Sequence, residues 1–117
     1  MSQTVRRGEV YWLDWEPARG VEQRGRRPGL VVQNDLGNQH SPATVVAAIS
    51  SAPVKARYPF VVFLEPGEGG LPKASFVNCS QLLTIDKKRL VQKVGVLDPD
   101  RMAEVGNALL YQLALQP

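Results

Sequence analysis

The chain has 117 residues, of which 44% are hydrophobic and 21% charged, a balance typical of soluble globular proteins that excludes a disordered chain. Lys and Arg number 14 against 11 Asp and Glu, so the formal charge is only +3 and the distribution of charge tells more than its sum. A single cysteine, Cys79, excludes an intrachain disulfide and a zinc site built on cysteines.

These properties predict one domain over residues 1–117 that folds without a cofactor. The start of the chain, "MSQTVRRGEVYW", lacks the apolar segment of a signal peptide. Its apolar runs are also shorter than the roughly 20 residues that cross a membrane. Together with the lone cysteine, this favours a cytoplasmic protein.

The first half of the chain reads as short strands separated by turn residues. "GEVYWLDW" alternates in the period of a strand, and "PGLVVQ" follows a cluster of arginines. "NDLGN", residues 34–38, has turn composition. "ATVVAAIS" and "FVVFLE" are apolar and rich in β-branched residues, which indicates central strands.

Further strands are predicted at "ASFVNC", "QLLTI" and "RLVQKVGVL", after a turn-rich connection over residues 65–73. The last segment changes period: Asp98 is a predicted N-cap, Pro99 the first helical residue, and apolar residues recur at helical spacing. That apolar stripe comprises Met102, Val105, Leu109 and Leu113. The pattern predicts a mainly β protein, a small barrel or sandwich, with a C-terminal α-helix.

Basic residues concentrate between Arg19 and Arg27. Such a cluster indicates either a polyanionic or acidic partner or simply a solvated charged face, and composition leaves both open. Pro28 biases Arg27 toward an extended conformation, so its guanidinium is presented in a reproducible direction that suits a phosphate. The alternative is a structural ion pair with Glu22 or Asp35.

Few other side chains offer chemistry. The lone histidine, His40, stands among turn residues and cannot form a histidine acid–base pair, and no metal-ligand spacing or phosphate-binding glycine loop is present. Ser50 and Ser51 follow the apolar run of residues 45–49, and Ser50 approaches Arg27 if the two strands pair. Trp12 and Trp15 are predicted to be core or interface residues.

Several segments closely resemble the MazF/PemK family of toxin endoribonucleases. They are "RGEV" at residues 7–10, the P-x-x-G-x-E-Q loop at residues 17–23, Arg27-Pro28 ahead of an apolar strand, and "QLLTIDKKRL" at residues 81–90. The resemblance implies a small SH3-like barrel of the MazF/CcdB type with a C-terminal helix, assembled as a homodimer. It also implies a metal-independent endoribonuclease for single-stranded RNA, inhibited by an acidic antitoxin of the MazE type.

The resemblance places the family's catalytic arginine at Arg27 and its catalytic threonine at Ser50. Serine retains the hydroxyl but lacks the methyl that restrains χ1, so we expect the group to be less fixed. RNA contacts are implied at these positions: Arg19, Glu22, Gln23, Arg26, Ser51, Tyr58, Ser80 and Gln81. A non-catalytic module on the same fold, either a gyrase-binding toxin of the CcdB type or an antitoxin-binding regulator, is the alternative.

Overall fold

The computed structural model describes residues 4–14, 26–53 and 57–115. These residues contain six strands in one antiparallel sheet, ordered β4-β5-β3-β2-β1-β6. The strands are β1 (Glu9–Asp14), β2 (Arg26–Val31), β3 (Ala43–Ser50), β4 (Val61–Leu64), β5 (Ser75–Asp86) and β6 (Leu90–Val96). The α-helices are α1 (Asp35–His40) and α2 (Pro99–Gln112), and 3-10 turns span Glu68–Gly70 and Lys87–Arg89.

The mainly β fold with a C-terminal helix is confirmed, although the sheet differs from the predicted barrel in one respect. In the described residues β4 and β6 are the two edges, so the sheet is open rather than closed. The helices of the described residues include none that is long and apolar enough to span a membrane.

Helix α2 begins as the sequence predicts. The Asp98 side chain accepts a hydrogen bond from the Arg101 N–H, and Pro99 occupies the first turn. Val105 and Ala108 are buried in a hydrophobic core that lies on one face of the sheet. We call it the first core. Leu113, the last residue of the apolar stripe, does not pack on the sheet: it is the C-cap and remains 52% exposed.

Two other sequence expectations need correction. Residues 34–38 form more than a turn, because Asn34 caps a short helix by accepting a hydrogen bond from the Gly37 N–H. "ASFVNC" and "QLLTI" are one strand, β5, interrupted by a bulge. Ala47 pairs with Leu82 while Ala48 pairs with Asn78, so residues 79–81 have no counterpart on β3.

The opposite face of the sheet carries a second core at one end only, the end beside α1. This closed end contains seven buried residues: Val5, Tyr11, Leu13, Val31, Val46, Ile85 and Leu90. At the start of β2 and the end of β3, the same face carries the half-buried polar residues Arg27 and Ser50. The half-buried rings of Phe63 and Phe76 continue this region on β4 and β5. We call the region of these four residues the open end.

Gly29 lies at the boundary between the two ends. A Cβ built there would stand 2.7 Å from Leu13 Cδ2, and Leu13 is fully buried. Leu13 pairs with Arg27 and packs across the backbone at Gly29. Because Gly29 has no side chain, Leu13 can fill this space and the packed core of the closed end extends up to Arg27.

Candidate active site

Pairing of β2 with β3 brings Arg27 and Ser50 to the same place. Gly29 lies opposite Ala48 and Val31 opposite Val46. Continuing this register by two residues sets Arg27 opposite Ser50, and directly opposed residues of an antiparallel pair project from the same face. Both residues line one groove of about 450 Å³, so the approach on which the sequence-based hypothesis depended is present.

The local sequence orients Arg27 toward this groove. Pro28 occupies β2 opposite Trp12 of β1, which fixes the backbone immediately after the arginine. Arg27 is half-buried and lines the groove. Of the two expected ion-pair partners, Glu22 lies outside the described residues, and Asp35 follows the opposite end of β2, where it accepts a hydrogen bond from the Arg7 N–H at 2.7 Å.

The Ser50 hydroxyl is restrained by its own turn. The Ala52 N–H donates to Ser50 Oγ at 3.1 Å, which fixes the oxygen just beyond the end of β3. This bond restricts the side chain in place of the methyl group that a threonine would have. The hydroxyl proton is left to donate to an acceptor in the groove.

The remaining walls of the groove are mostly apolar, with one additional cation. Trp12, predicted as core or interface, is half-buried and forms part of one wall. Exposed Lys73 also lines the groove. Sequence reasoning missed Lys73 because it ends the turn-rich segment 65–73, where only the fold shows which way the loop returns. The other lining residues are Pro28, Ile49, Ser51, Ala52, Leu71, Pro72 and Ser75.

The loop that carries Lys73 is fixed by close backbone packing. Gly70 has φ of +79°. A Cβ at this position would collide with the Val94 carbonyl of β6, so only glycine allows the approach. On the same loop, Glu68 forms two hydrogen bonds of 2.9 Å with Arg101 of α2, and this contact lowers the pKa of Glu68. The groove wall is thus tied to both the sheet and the helix.

The expected RNA-contacting residues divide into three groups. Arg19, Glu22 and Gln23 lie outside the described residues. Ser51 lines the groove, and Arg26 is exposed beside it, 3.7 Å from the Asp14 carboxylate. Because both partners of that ion pair are largely exposed, Arg26 is weakly held.

Tyr58, Ser80 and Gln81 form the third group, away from the groove. Tyr58 is 52% exposed and stacks on Phe60 with ring centroids 5.1 Å apart. The Phe60 carbonyl accepts a hydrogen bond from the Cys79 N–H, which sets the stacked rings beside the bulge that contains Ser80 and Gln81. The bulge lies opposite Ala47 and Ala48, two to three residues along β3 from Ser50.

The two other candidate reactive groups lie elsewhere or are inert. His40 ends α1, at the opposite end of the sheet from Ser50. Cys79 is buried, and burial raises the pKa of its thiol to about 11, so it is neutral at pH 7. Among the described residues, no three His, Cys, Asp or Glu side chains are grouped where they could hold a metal ion.

Solved structures with the same architecture include an endoribonuclease bound to its antitoxin and a MazE-MazF structure. An endoribonuclease from a mycobacterial species, in complex with its cognate antitoxin, is 26% identical with a TM-score of 0.80, covering 97% of this chain and 98% of that one. A MazE-MazF structure from Deinococcus radiodurans is 27% identical with a TM-score of 0.78, covering 98% and 100%. Fold and groove thus define a chain of the toxin class.

Sequence comparison gives the family. Residues 6–113 match the family model described as the PemK-like, MazF-like toxin of type II toxin-antitoxin systems. Endoribonuclease MazF of Staphylococcus epidermidis is 44% identical over 111 residues, which cover 95% of this chain and 92% of that protein. The chain belongs to the PemK-like, MazF-like family of type II toxins.

Proposed function

We propose that this protein is an endoribonuclease that cleaves single-stranded RNA in the groove at the start of β2 and the end of β3, without a metal ion, with residues 1–117 acting as one catalytic domain. Family membership and 44% identity to an endoribonuclease support the activity. The observation that carries the site is the alignment of Arg27 and Ser50 on neighbouring strands at one groove of about 450 Å³.

RNA supplies the nucleophile in this reaction, so a site without a histidine pair is sufficient. The ribose 2′-oxygen attacks the adjacent phosphorus, a P–O2′ bond forms, and the P–O5′ bond breaks. The 2′-hydroxyl loses its proton and the leaving 5′-oxygen gains one. The products are a 2′,3′-cyclic phosphate and a 5′-hydroxyl.

Arg27 and Ser50 act on the charge that develops at phosphorus. The planar guanidinium donates two parallel hydrogen bonds to non-bridging oxygens, while the Ser50 hydroxyl donates a third. Because both groups are fixed by the β-sheet and its turn, little reorganisation accompanies the reaction. The apolar walls from Trp12 and Leu71 lower the local dielectric constant and strengthen these contacts.

Proton transfer needs a further group. Arg27 is a poor general base at neutral pH because the pKa of arginine exceeds about 12. Glu22, in the segment outside the described residues, is the candidate base, and Arg27 helps to deliver a proton to the leaving 5′-oxygen.

Substrate recognition extends beyond the groove. Arg19, Arg26 and Lys73 attract the RNA backbone, and Glu22, Gln23 and Ser51 contact the nucleotides nearest to the scissile bond. Tyr58 provides a stacking surface, since stacking contributes about 1–3 kcal/mol per base, and Ser80 and Gln81 present polar groups to base edges.

The partners follow from the relatives. We infer a homodimer in the cytoplasm, where messenger RNA is the substrate and a free thiol such as Cys79 persists. The solved relatives include complexes with a cognate antitoxin and with MazE. An acidic antitoxin of the MazE type complements the cations Arg26, Arg27 and Lys73 and would exclude RNA from the groove.

The test is cleavage of single-stranded RNA in EDTA, with analysis of the product ends. We expect 5′-hydroxyl and cyclic-phosphate termini, and sequencing the 5′ ends of fragments from total RNA will define the motif. An oligonucleotide with a single 2′-deoxy substitution at the scissile nucleotide should remain intact. Cleavage of that oligonucleotide would refute the mechanism, and replication arrest with intact RNA in expressing cells would instead support the gyrase-binding alternative.

A further inference from the structure

A second groove of about 300 Å³ adjoins the first at the open end of the sheet face. The two grooves share Ser51, Ala52 and Ser75 as lining residues, so they are directly adjacent. The second groove is also lined by Arg57, Phe63 and Phe76, none of which the sequence analysis assigned to a site.

The strand register aligns the second groove with the catalytic pair. Ser50 of β3 lies opposite Phe76 of β5, and Phe76 lies opposite Phe63 of β4. Because directly opposed residues share a face, these side chains form a row across neighbouring strands that continues the line from Arg27. At about 4.8 Å per strand, Phe63 lies roughly 10 Å from Ser50.

The two phenylalanines are not core residues. Both are half-buried, whereas their neighbours Val62, Leu64 and Val77 are buried in the first core on the other face of the sheet. The rings contact each other with centroids 6.2 Å apart and a tilt of 47°. Aromatic surface is therefore left at the open end.

Arg57 adds a planar cation to this surface. Its guanidinium carbon lies 4.3 Å from the centroid of the Phe63 ring, and the side chain is exposed. Stacking on the ring restricts the guanidinium and leaves its outer face toward solvent, where a base can stack on it. Its N–H groups remain able to reach a phosphate.

Resting on the proposed function, we propose that Arg57, Phe63 and Phe76 form a nucleotide subsite that stacks the base of a residue flanking the scissile phosphate. Glu65 also lines the same groove and is exposed. Its carboxylate can accept a hydrogen bond from a base amino group but repels a phosphate or an acidic peptide. A base is consequently the occupant that fits best.

The experiment uses oligonucleotides containing the motif from fragment sequencing, with each flanking nucleotide replaced in turn by an abasic residue. For the native protein, loss of one particular base should weaken binding about fivefold to 160-fold, the range expected for one stacked base. Arg57→Ala and Phe76→Ala should weaken binding of the intact oligonucleotide equally. In these variants, removing that base should have no further effect.

The controls separate stacking from charge. Arg57→Lys retains the charge without the planar group, so it should not restore the affinity. Arg6→Ala removes an exposed arginine at the far end of the sheet and should leave the affinity unchanged. Circular dichroism should show that every variant is folded, and Arg6→Ala should cleave the RNA at the native rate.

Binding is measured with the 2′-deoxy oligonucleotide, so affinity is read separately from cutting. If fragment sequencing yields no motif, a single-stranded RNA of arbitrary sequence is used and Arg57→Ala is compared with the native protein. Absence of cleavage by the native protein refutes the proposed function alone. Equal affinity of native protein and Arg57→Ala, or identical effects of every abasic position, overturns the subsite. If Arg57→Ala binds the oligonucleotide normally but loses affinity for an acidic peptide, the groove is instead assigned to the antitoxin.

Discussion

One face of the sheet is built differently at its two ends. At the closed end, apolar side chains pack together and the polar groups are paired within the protein: Glu9 accepts hydrogen bonds from the Tyr11 hydroxyl and the Arg6 N–H and pairs with Lys93 at 2.9 Å. At the open end, Arg27, Ser50 and the two phenylalanines line grooves instead. The closed end stabilises the fold, while the open end presents Arg27 and Ser50 at the wall of a groove.

The largest expected difference concerns two residues of the same strand, Ile85 at the closed end and Phe76 at the open end. Ile85→Ala should lower the free energy of unfolding by about 2–5 kcal/mol because it leaves a cavity in a packed core. Phe76→Ala should cost less, although phenylalanine is larger, because its ring is only half-buried. Urea denaturation measures both, and a greater loss for Phe76→Ala would contradict the distinction.

Arg27→Ala should lower the cleavage rate constant about 10²-fold to 10³-fold while the midpoint of thermal unfolding stays close to the native value. Arg27→Lys tests whether charge alone is enough, and we expect it to remain well below the native rate because the planar fork is lost. Arg26→Ala, which removes a neighbouring exposed guanidinium, should change the rate less than tenfold. Full activity of Arg27→Ala would contradict the assignment of Arg27 to the active site.

Ser50→Ala should reduce cleavage about tenfold to 100-fold, since a hydrogen bond to a charged oxygen contributes about 1.5–3 kcal/mol. Ser50→Thr should keep at least the native rate. Ser41→Ala is the matched control: Ser41 Oγ accepts a hydrogen bond from the Ala43 N–H at 3.1 Å, as Ser50 Oγ does from the Ala52 N–H. A similar loss of activity in the control would reduce Ser50 to a structural role.

The smallest effect tests the closed end through pH. Burial alone would raise the pKa of Glu9, but hydrogen bonds from Lys93, Arg6 and Tyr11 lower it below the ordinary value of about 4.3. The ionised Glu9 carboxylate therefore contributes its full stabilisation at pH values above the ordinary pKa of glutamate. This contribution is lost as the pH falls through the lowered pKa of Glu9. Glu9→Gln should lower the free energy of unfolding by about 1–3 kcal/mol at pH 7. The difference in stability between the variant and the native protein should become smaller below about pH 4.

Strand periodicity, turn residues and the Asp98-Pro99 start of α2 were enough to predict the fold class, because each is a local signal. The division of β5 into two strands was wrong because the outcome depends on pairing with the distant strand β3, and α1 was missed although its cap, Asn34, is adjacent in the chain. The bulge that joins the two halves of β5 is defined by β3, from which it is separated by about 30 residues of chain.

The site shows the same limit. Arg27 was recognisable because Pro28 follows it and the family motif includes it, and Ser50 because it ends an apolar strand. Lys73, Arg57, Phe63 and Phe76 carry no local signal: aromatic residues within strands predict core, and only the register shows that these two face a groove. Arg19, Glu22 and Gln23 remain predictions, since they lie outside the described residues.

The bulge in β5 has an evolutionary consequence. The ladder between β3 and β5 resumes with Leu82 opposite Ala47, so the exposed side chains at positions 80 and 81 are not part of it. Mutations there can accumulate without disturbing either neighbouring strand. On the proposed function, in which Ser80 and Gln81 contact bases while Arg27 and Ser50 hold the phosphate, a lineage of such proteins can change the bases it prefers by drift at two positions.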